Sequence, residues 1–455
     1  MFQLRGSRAA RRVAATLAAV GLTATALGAC SGGGNSPSTD SATSGEVVWW
    51  GWSPDVTVAD TWIAAFNKDH PDIKVTYKNF ENQAYGPALS PALRTNAGPD
   101  VYDMSLGGGQ FGVKTFGSYA LDLLPAVEKN VGADWQQKYA FDHKSFLDQG
   151  KLRALSIGGV GGGFLWVNQS LFDELKVKVP KTYDEWVKAC AVFRSAGKDC
   201  LTVGAAGGSG FTVETLHTIV NNVKPGHWAK AQLGEADWND PAVVEGLTIF
   251  DKMHKDGIIT KDALALKQYP DANNTFMSGK AAMVQMGTWY AQYARKAGAM
   301  VAMEGAGVKN PVPFVQLPAD FPDVSGKGNK PVIFGEVDYG LGVNAKSKNP
   351  EASTTFVTWM TGNKDGATTV ANTIDLIPNL IGVQPKWDEI GLVDPKVQAP
   401  ALAALWERNS RPDEWRGQYA TPEAGQALDF AVTSILEGSA TPQKAADLLQ
   451  TTLRK

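Results

Sequence analysis

From Glu46 the chain alternates short β-type runs with helical ones, and that rhythm restricts it to an α/β architecture. EVVWWGW and DIKVTYKNF read as strands, and the helical ADTWIAAFNKDH between them stops at Pro71. A second helical stretch around ALSPALRTNAG leads through Gly98 and Pro99 into DVYDMSL, a third strand. Such a βαβαβ order predicts a parallel sheet covered by helices, with ligand groups at the carboxyl ends of the strands. The tryptophans of WWGW stand at such an end. At 455 residues the chain exceeds what one hydrophobic core usually serves, so two or three lobes are expected.

Further along, LRALSIGGVGGGFLWVNQSLF packs five glycines into Gly158 to Gly163 before an apolar strand, FLWVN. This reads either as the chain crossing between lobes, with glycine allowing unusual angles or close approach to a ligand, or as a mobile surface loop. No GKS or GKT follows, so it is not a phosphate loop. Thr182 and Glu185 form a capping box for YDEWVKACAVFRSAG, and Asp240–Pro241 opens a helix ending at Gly257. AAMVQMG is a strand leading into a helix whose first turn carries Trp289 and Tyr290. VPFVQLP and VIFGEVDYGLGVN are strands flanking a glycine-rich loop, and helices fill most of the remainder.

The first thirty residues belong to export. Arg5, Arg8, Arg11 and Arg12 give a positive start, Val13 to Ala29 is apolar, and LGAC ends at Cys30, as in a bacterial lipobox whose cysteine is lipidated. A plain secretory signal and a twin-Arg signal are the alternatives. Ser31 to Gly45 is rich in Gly and Ser and reads as a flexible tether to a lipid anchor on the outer face of the cytoplasmic membrane. No later run is long enough to span a bilayer. The formal net charge of −3 offers no basic excess for nucleic acid. Cys190 and Cys200 then remain, ten positions apart, and in an oxidising compartment they are expected to form a disulfide. The five histidines show no ligand spacing near them, so no metal is expected.

Catalytic signatures are missing: there is no GxSxG elbow and no HExxH. Glu336 and Asp338 share one face of a strand, but a carboxylate pair two residues apart seldom has the separation that glycoside cleavage needs. What stands out is aromatic side chains at turn-rich strand ends, among them Trp50, Trp52, Tyr85, Phe164, Phe211, Trp289, Tyr290, Tyr339 and Trp415. An aromatic platform suits the C–H face of a pyranose, with carboxylates and amides meeting its rim of hydroxyls, and needs no cofactor. Trp62, Trp186 and Trp359 sit mid-helix and are assigned to packing. By strand parity Trp49 faces the packing side with Gly51, and Trp50 and Trp52 face the ligand side.

In order along the chain, VVWWGWSP, AFNKDHPDIKVTY, GPDVYDMS, LDLLP, LWVNQSLF, VPKTYDEWVKAC, FMSGKAAMVQMGTWY and LGVNAKSKNPEASTTFVTWMT resemble the extracellular solute-binding proteins of carbohydrate ABC transporters, of the maltose and glycerophosphodiester type. The resemblance implies two doubly wound α/β lobes of the type II periplasmic-binding-protein fold, hinged by crossing strands. Lobe 1 would be residues 46–157 plus 312–363, and lobe 2 residues 158–311 plus 364–455. It also implies a monomer with no enzymatic activity, a carbohydrate ligand, and ABC permease subunits as partners. Trp289 inherits the stacking role; Trp50, Trp52 and Asp55 fall at the first strand end, Tyr85 and Asp103 after the second and third, Phe211 in the second lobe, and Trp415 with Arg416 in a late contact region. Where the family commonly has a GG-containing loop, this chain reads FGEVDYG, so Glu336, Asp338 and Tyr339 are either added hydroxyl-binding groups, favouring a polar or amino-bearing sugar, or a solvated turn. A receptor for a glycerophosphodiester, a secreted glycan-cleaving enzyme and a surface adhesin are the competing readings.

Overall fold

The computed structural model describes residues 41–454 apart from 107–110, 142–143, 208–210 and 418–420. Cys30, the export signal and most of the tether lie outside the described residues. The last tether residues are already ordered against the body: Ser41 pairs with Ser44, and Thr355 Oγ1 donates to the Ala42 carbonyl at 2.9 Å.

Among the described residues thirteen strands follow: β1 (Gly45–Gly51), β2 (Ile73–Asn79), β3 (Val101–Met104), β4 (Leu147–Asp148), β5 (Lys151–Leu152), β6 (Leu155–Gly162), β7 (Phe164–Asn168), β8 (Asp199–Thr202), β9 (Ala281–Val284), β10 (Gln316–Asp320), β11 (Phe334–Val343), β12 (Ile377–Pro378) and β13 (Glu414–Trp415). The larger sheet runs β12-β6-β11-β3-β1-β2, with β13 alongside β11; the smaller runs β10-β7-β9-β8, and β4 with β5 forms a hairpin. β1, β2 and β3 are mutually parallel, as their helical connections require, whereas β11 enters antiparallel between β3 and β6. The architecture is two α/β lobes with mixed sheets joined by connecting strands.

Alternation sets the first strand. Val47 and Trp49 are fully buried while Glu46 and Val48 face outward. The Trp49 ring stacks on Trp62, which shares an apolar stripe with Val58, Ala59 and Phe66 on the helix Val56–Asp69. One core draws on residues 47–160 and 337–376, a second on 165–324 and 427–449, and a third, from Phe164 to Trp406, fills the junction. These groupings differ from the lobe limits expected above. β10 pairs with β7 in the smaller sheet, so the chain returns to the first lobe near β11; the helix Lys364–Thr373 packs on Val56–Asp69 and stays with that lobe. Cys190 and Cys200 are joined in a disulfide, tying the helix Tyr183–Ser195 to β8.

The glycine run is neither a surface loop nor a source of odd angles along its length. Leu155 to Asn168 are all buried, and most of the run lies inside regular β6, paired on both sides. Only Gly163 takes a left-handed angle, φ +97°, where the chain leaves the larger sheet for the smaller, and a Cβ there would lie 2.3 Å from the Val332 carbonyl oxygen. Both backbone and contact therefore exclude a side chain.

Gly163→Ala is expected to lower stability by about 1–3 kcal/mol, through strain at a positive φ plus the clash. Gly391→Ala, whose added Cβ meets nothing within 4 Å, serves as control. Urea unfolding checks this: the midpoint should fall for the first variant at unchanged slope and barely move for the second.

Candidate functional site

A cleft of about 1070 Å³ opens where the carboxyl ends of β1 and β3 face the junction core. Its size lies at the upper end of small-molecule sites. The chain turns sharply after β1 and delivers Trp52, Ser53 and Asp55 to one wall, with Asn79, Phe80, Glu81, Asn82 and Gln83 following β2. Phe211, Tyr269, Asn273, Trp289, Gln292 and Tyr293 face them, and Glu336, Asp338, Asp375 and Arg416 complete the wall.

Trp289 sits on the 3-10 helix Thr288–Ala294, directly after β9. Its indole lies so close over Gly287 that a Cβ there would be 2.0 Å from the ring. Its N–H donates to the Tyr269 hydroxyl at 3.1 Å, and Phe211 meets it edge-on at 6.1 Å. The Arg416 guanidinium lies 4.9 Å from the ring centroid, a cation–π contact. Arg416 is itself buried and bonded to Glu214, through Nε at 2.8 Å and through Nη2. Burial works against its charge, but Glu214, Glu336 and Asp338 hold it protonated.

Asp55 occupies the N-cap of Val56–Asp69 yet makes no side-chain cap; its carboxylate instead accepts from the Tyr293 hydroxyl at 2.7 Å, across the cleft. Asp375 is fully buried: one oxygen accepts from Gln292 Nε2 at 2.8 Å and the other has no hydrogen-bond partner among the described residues. It follows Ile374, a β-branched residue at φ +50°, a conformation that only a strong surrounding constraint maintains. Burial raises both carboxyls above the usual range, Asp375 the further, with Asp338 and Asp55 adding repulsion on Asp375. Glu336 Oε2 accepts from the Gly417 amide at 3.1 Å, and Asp338 has no hydrogen-bond partner among the described residues. Burial pushes Glu336 up to about 7 and Asp338 to about 6, against the opposing pull of Arg416. Among the described residues no group of three or more metal-ligating side chains converges, and no helix is long and apolar enough to cross a membrane.

Of the residues proposed from sequence, Trp52, Asp55, Phe211, Trp289, Glu336, Asp338 and Arg416 line the cleft. The others do not. Trp50 packs its ring on Phe80 at 4.9 Å beneath Lys78; β1 ends at Gly51, so strand parity no longer couples it to Trp52. Tyr85 is buried and donates to the carbonyls of Trp50 and Asp103, and Asp103 is buried accepting from Trp49 Nε1 at 2.8 Å. Phe164 packs on Trp166 in the junction core, and Tyr290 donates to Asn273 Oδ1 at 3.0 Å from the same core. Tyr339 is buried behind Trp52, 5.5 Å away, and Trp415 points outward, 40% exposed. Tyr269, Gln292, Tyr293 and Asp375 were not foreseen; the non-glycine left-handed turn at Ile374 is a mark of Asp375 that only the structure reveals.

The sequence profile of the bacterial extracellular solute-binding proteins matches residues 53–367. No curated protein matches the sequence. Among solved structures, a protein of xylan utilisation from the thermophilic bacterium Caldanaerobius polysaccharolyticus superposes with a TM-score of 0.68 at 20% identity, covering 89% of this chain and 99% of that one. Maltose-bound MalE3 of T. maritima gives 0.67 at 16% identity, covering 90% and 99%. The substrate-binding protein Lmo0181 of Listeria monocytogenes in complex with cycloalternan gives 0.65 at 18%, covering 90% and 98%.

The raised carboxyls carry a stability consequence. Between the ordinary carboxylate range and about 7, Glu336 and Asp338 hold protons in the folded state that the unfolded chain has released, so their contribution to stability falls as pH rises through that window. The expected outcome is that Glu336→Gln/Asp338→Asn gains stability relative to the parent between pH 5 and 7.5. Thermal melts of both proteins across that range check it; parallel curves would mean that these groups titrate normally.

Proposed function

For a chain that belongs to the bacterial extracellular solute-binding proteins, a family of binding proteins rather than enzymes, we propose capture of a mono- or oligosaccharide in the interlobe cleft and its delivery to the permease of an ABC importer. The observation that carries this reading is Trp289 in the cleft wall, its ring beside the Arg416 guanidinium at 4.9 Å and packed on Gly287, with Phe211 and Trp52 in the same wall and carboxylates and amides around them. An aromatic face takes the apolar side of a pyranose, and Asn79, Asn273, Gln292 and the acids meet its hydroxyls. Proteins of the same fold whose names mention xylan utilisation, maltose and cycloalternan support the saccharide class. Closure of two lobes around the solute would signal occupancy to the transporter. The LGAC motif supports anchoring through lipid on Cys30, outside the cytoplasmic membrane. A glycerophosphodiester fits this wall less well, because its single guanidinium, Arg416, is already engaged by Glu214 among several carboxyl groups.

Titration with a broad saccharide panel should give a saturable change in tryptophan fluorescence and a raised melting temperature with one sugar class. Trp289→Ala is expected to weaken that binding by about 1–3 kcal/mol with the fold intact. Calorimetry on both proteins checks it, and unchanged affinity would remove Trp289 from the site.

A further inference from the structure

Besides Asp429, the cleft wall carries five carboxyl side chains among the described residues, Asp55, Glu81, Glu336, Asp338 and Asp375, against one guanidinium, Arg416. Arg416 is matched by Glu214. Arg295, half-buried and outside the cleft lining, acts on both Asp55 and Asp375. The wall therefore holds more acidic side chains than basic ones. A neutral solute offers hydroxyl donors but no charge, and enclosing unmatched carboxylates away from water is costly.

The imbalance is concentrated. Asp375 is fully buried in the cleft wall, with one carboxyl oxygen lacking a hydrogen-bond partner among the described residues. It is delivered there by a β-branched residue held at φ +50°, a backbone outlier of the kind that clusters at ligand clamps. Asp338 also lines the cleft without a hydrogen-bond partner among the described residues, and Asp338 and Asp55 act on Asp375 as like charges. An ammonium group supplies three N–H donors and the missing charge in one small group.

We infer that the solute carries a protonated amine, seated by Asp375 and Asp338 inside the cleft. The inference rests on the saccharide reading and narrows it to an amino-bearing sugar.

Calorimetry on the purified protein with mono- to tetrasaccharides, each as free amine, N-acetyl and hydroxyl form, tests it. The amine form is expected to bind at least tenfold more tightly than its two counterparts, with affinity falling as sodium chloride is raised. Asp375→Asn and Asp338→Asn should each narrow that preference severalfold; Asp338, nearer the surface, keeps the test available if the first variant fails to fold. Equal affinity for amine and hydroxyl forms, or a preference that survives both substitutions, overturns the inference. If neutral sugars bind and amines do not, the amine seat falls and the saccharide receptor stands. If spermidine binds and no saccharide does, the saccharide reading falls and the seat stands.

Discussion

The amide of Gly161 donates to Thr288 Oγ1 at 3.1 Å, and the indole N–H of Trp166 donates to the Gly287 carbonyl at 3.0 Å. These two buried bonds join β6 of the larger sheet and β7 of the smaller to the residues immediately before Trp289. A Cβ on Gly287 would strike both the Trp289 ring and the Gly161 carbonyl, so backbone meets backbone here with nothing between. The aromatic platform is therefore built on the crossing itself rather than on the free surface of either lobe. Whatever touches the indole touches the segment about which the lobes are joined, and whatever displaces that segment tilts the platform.

Behind the platform a charged layer fixes the strands that carry the acids. The helix Phe211–Val223 places Phe211 in the cleft and, one turn on, Glu214 against Arg416. A further turn presents His217, clasped between Trp228 at 4.8 Å and Phe334 at 4.0 Å, with its Nε2 2.5 Å from Glu414 Oε1. Glu414 opens β13, which pairs with β11 at Phe334 and Gly335, so these contacts set the register of Arg416 beside Glu336 and Asp338. Burial lowers the His217 pKa despite the neighbouring glutamates, which keeps the contact one of hydrogen bonding and stacking more than of full ion pairing.

The strands, the capping residues and the place of Trp289 in the cleft wall were legible because each depends on local pattern. Thr182 does cap its helix by accepting from Glu185 N, and FLWVN coincides with β7. The reading of strand ends failed where alternation stops mattering: Trp50 and Trp52 part company at Gly51, and of the neighbours Trp415 and Arg416 it is the arginine that turns inward. Tyr85, Asp103 and Tyr339 sit at the right ends of the right strands but one layer too deep, supporting wall residues instead of forming the wall. Tyr293 and Asp375 carried no local signal, since their partners Asp55 and Gln292 lie 238 and 83 positions away. Long-range pairing of this kind leaves no period in the sequence to read.

The same distant pairs bear on how occupancy and shape are linked. Asp55 gives up capping its own helix to accept from Tyr293, so one wall holds the other through a single charge-assisted bond. Around that bond, Asp55 and Asp338 each repel Asp375 in a site that burial has already made unfavourable for charge. Bringing such walls together empty must either protonate the acids or confine their repulsion, and both oppose closure. A solute that donates hydrogen bonds to them removes the penalty only in the enclosed arrangement, where all the acids can reach it at once. Differential stabilisation of that kind is what a ligand needs in order to shift a conformational equilibrium. A solute matched to those acids would therefore favour the enclosed arrangement over the empty one.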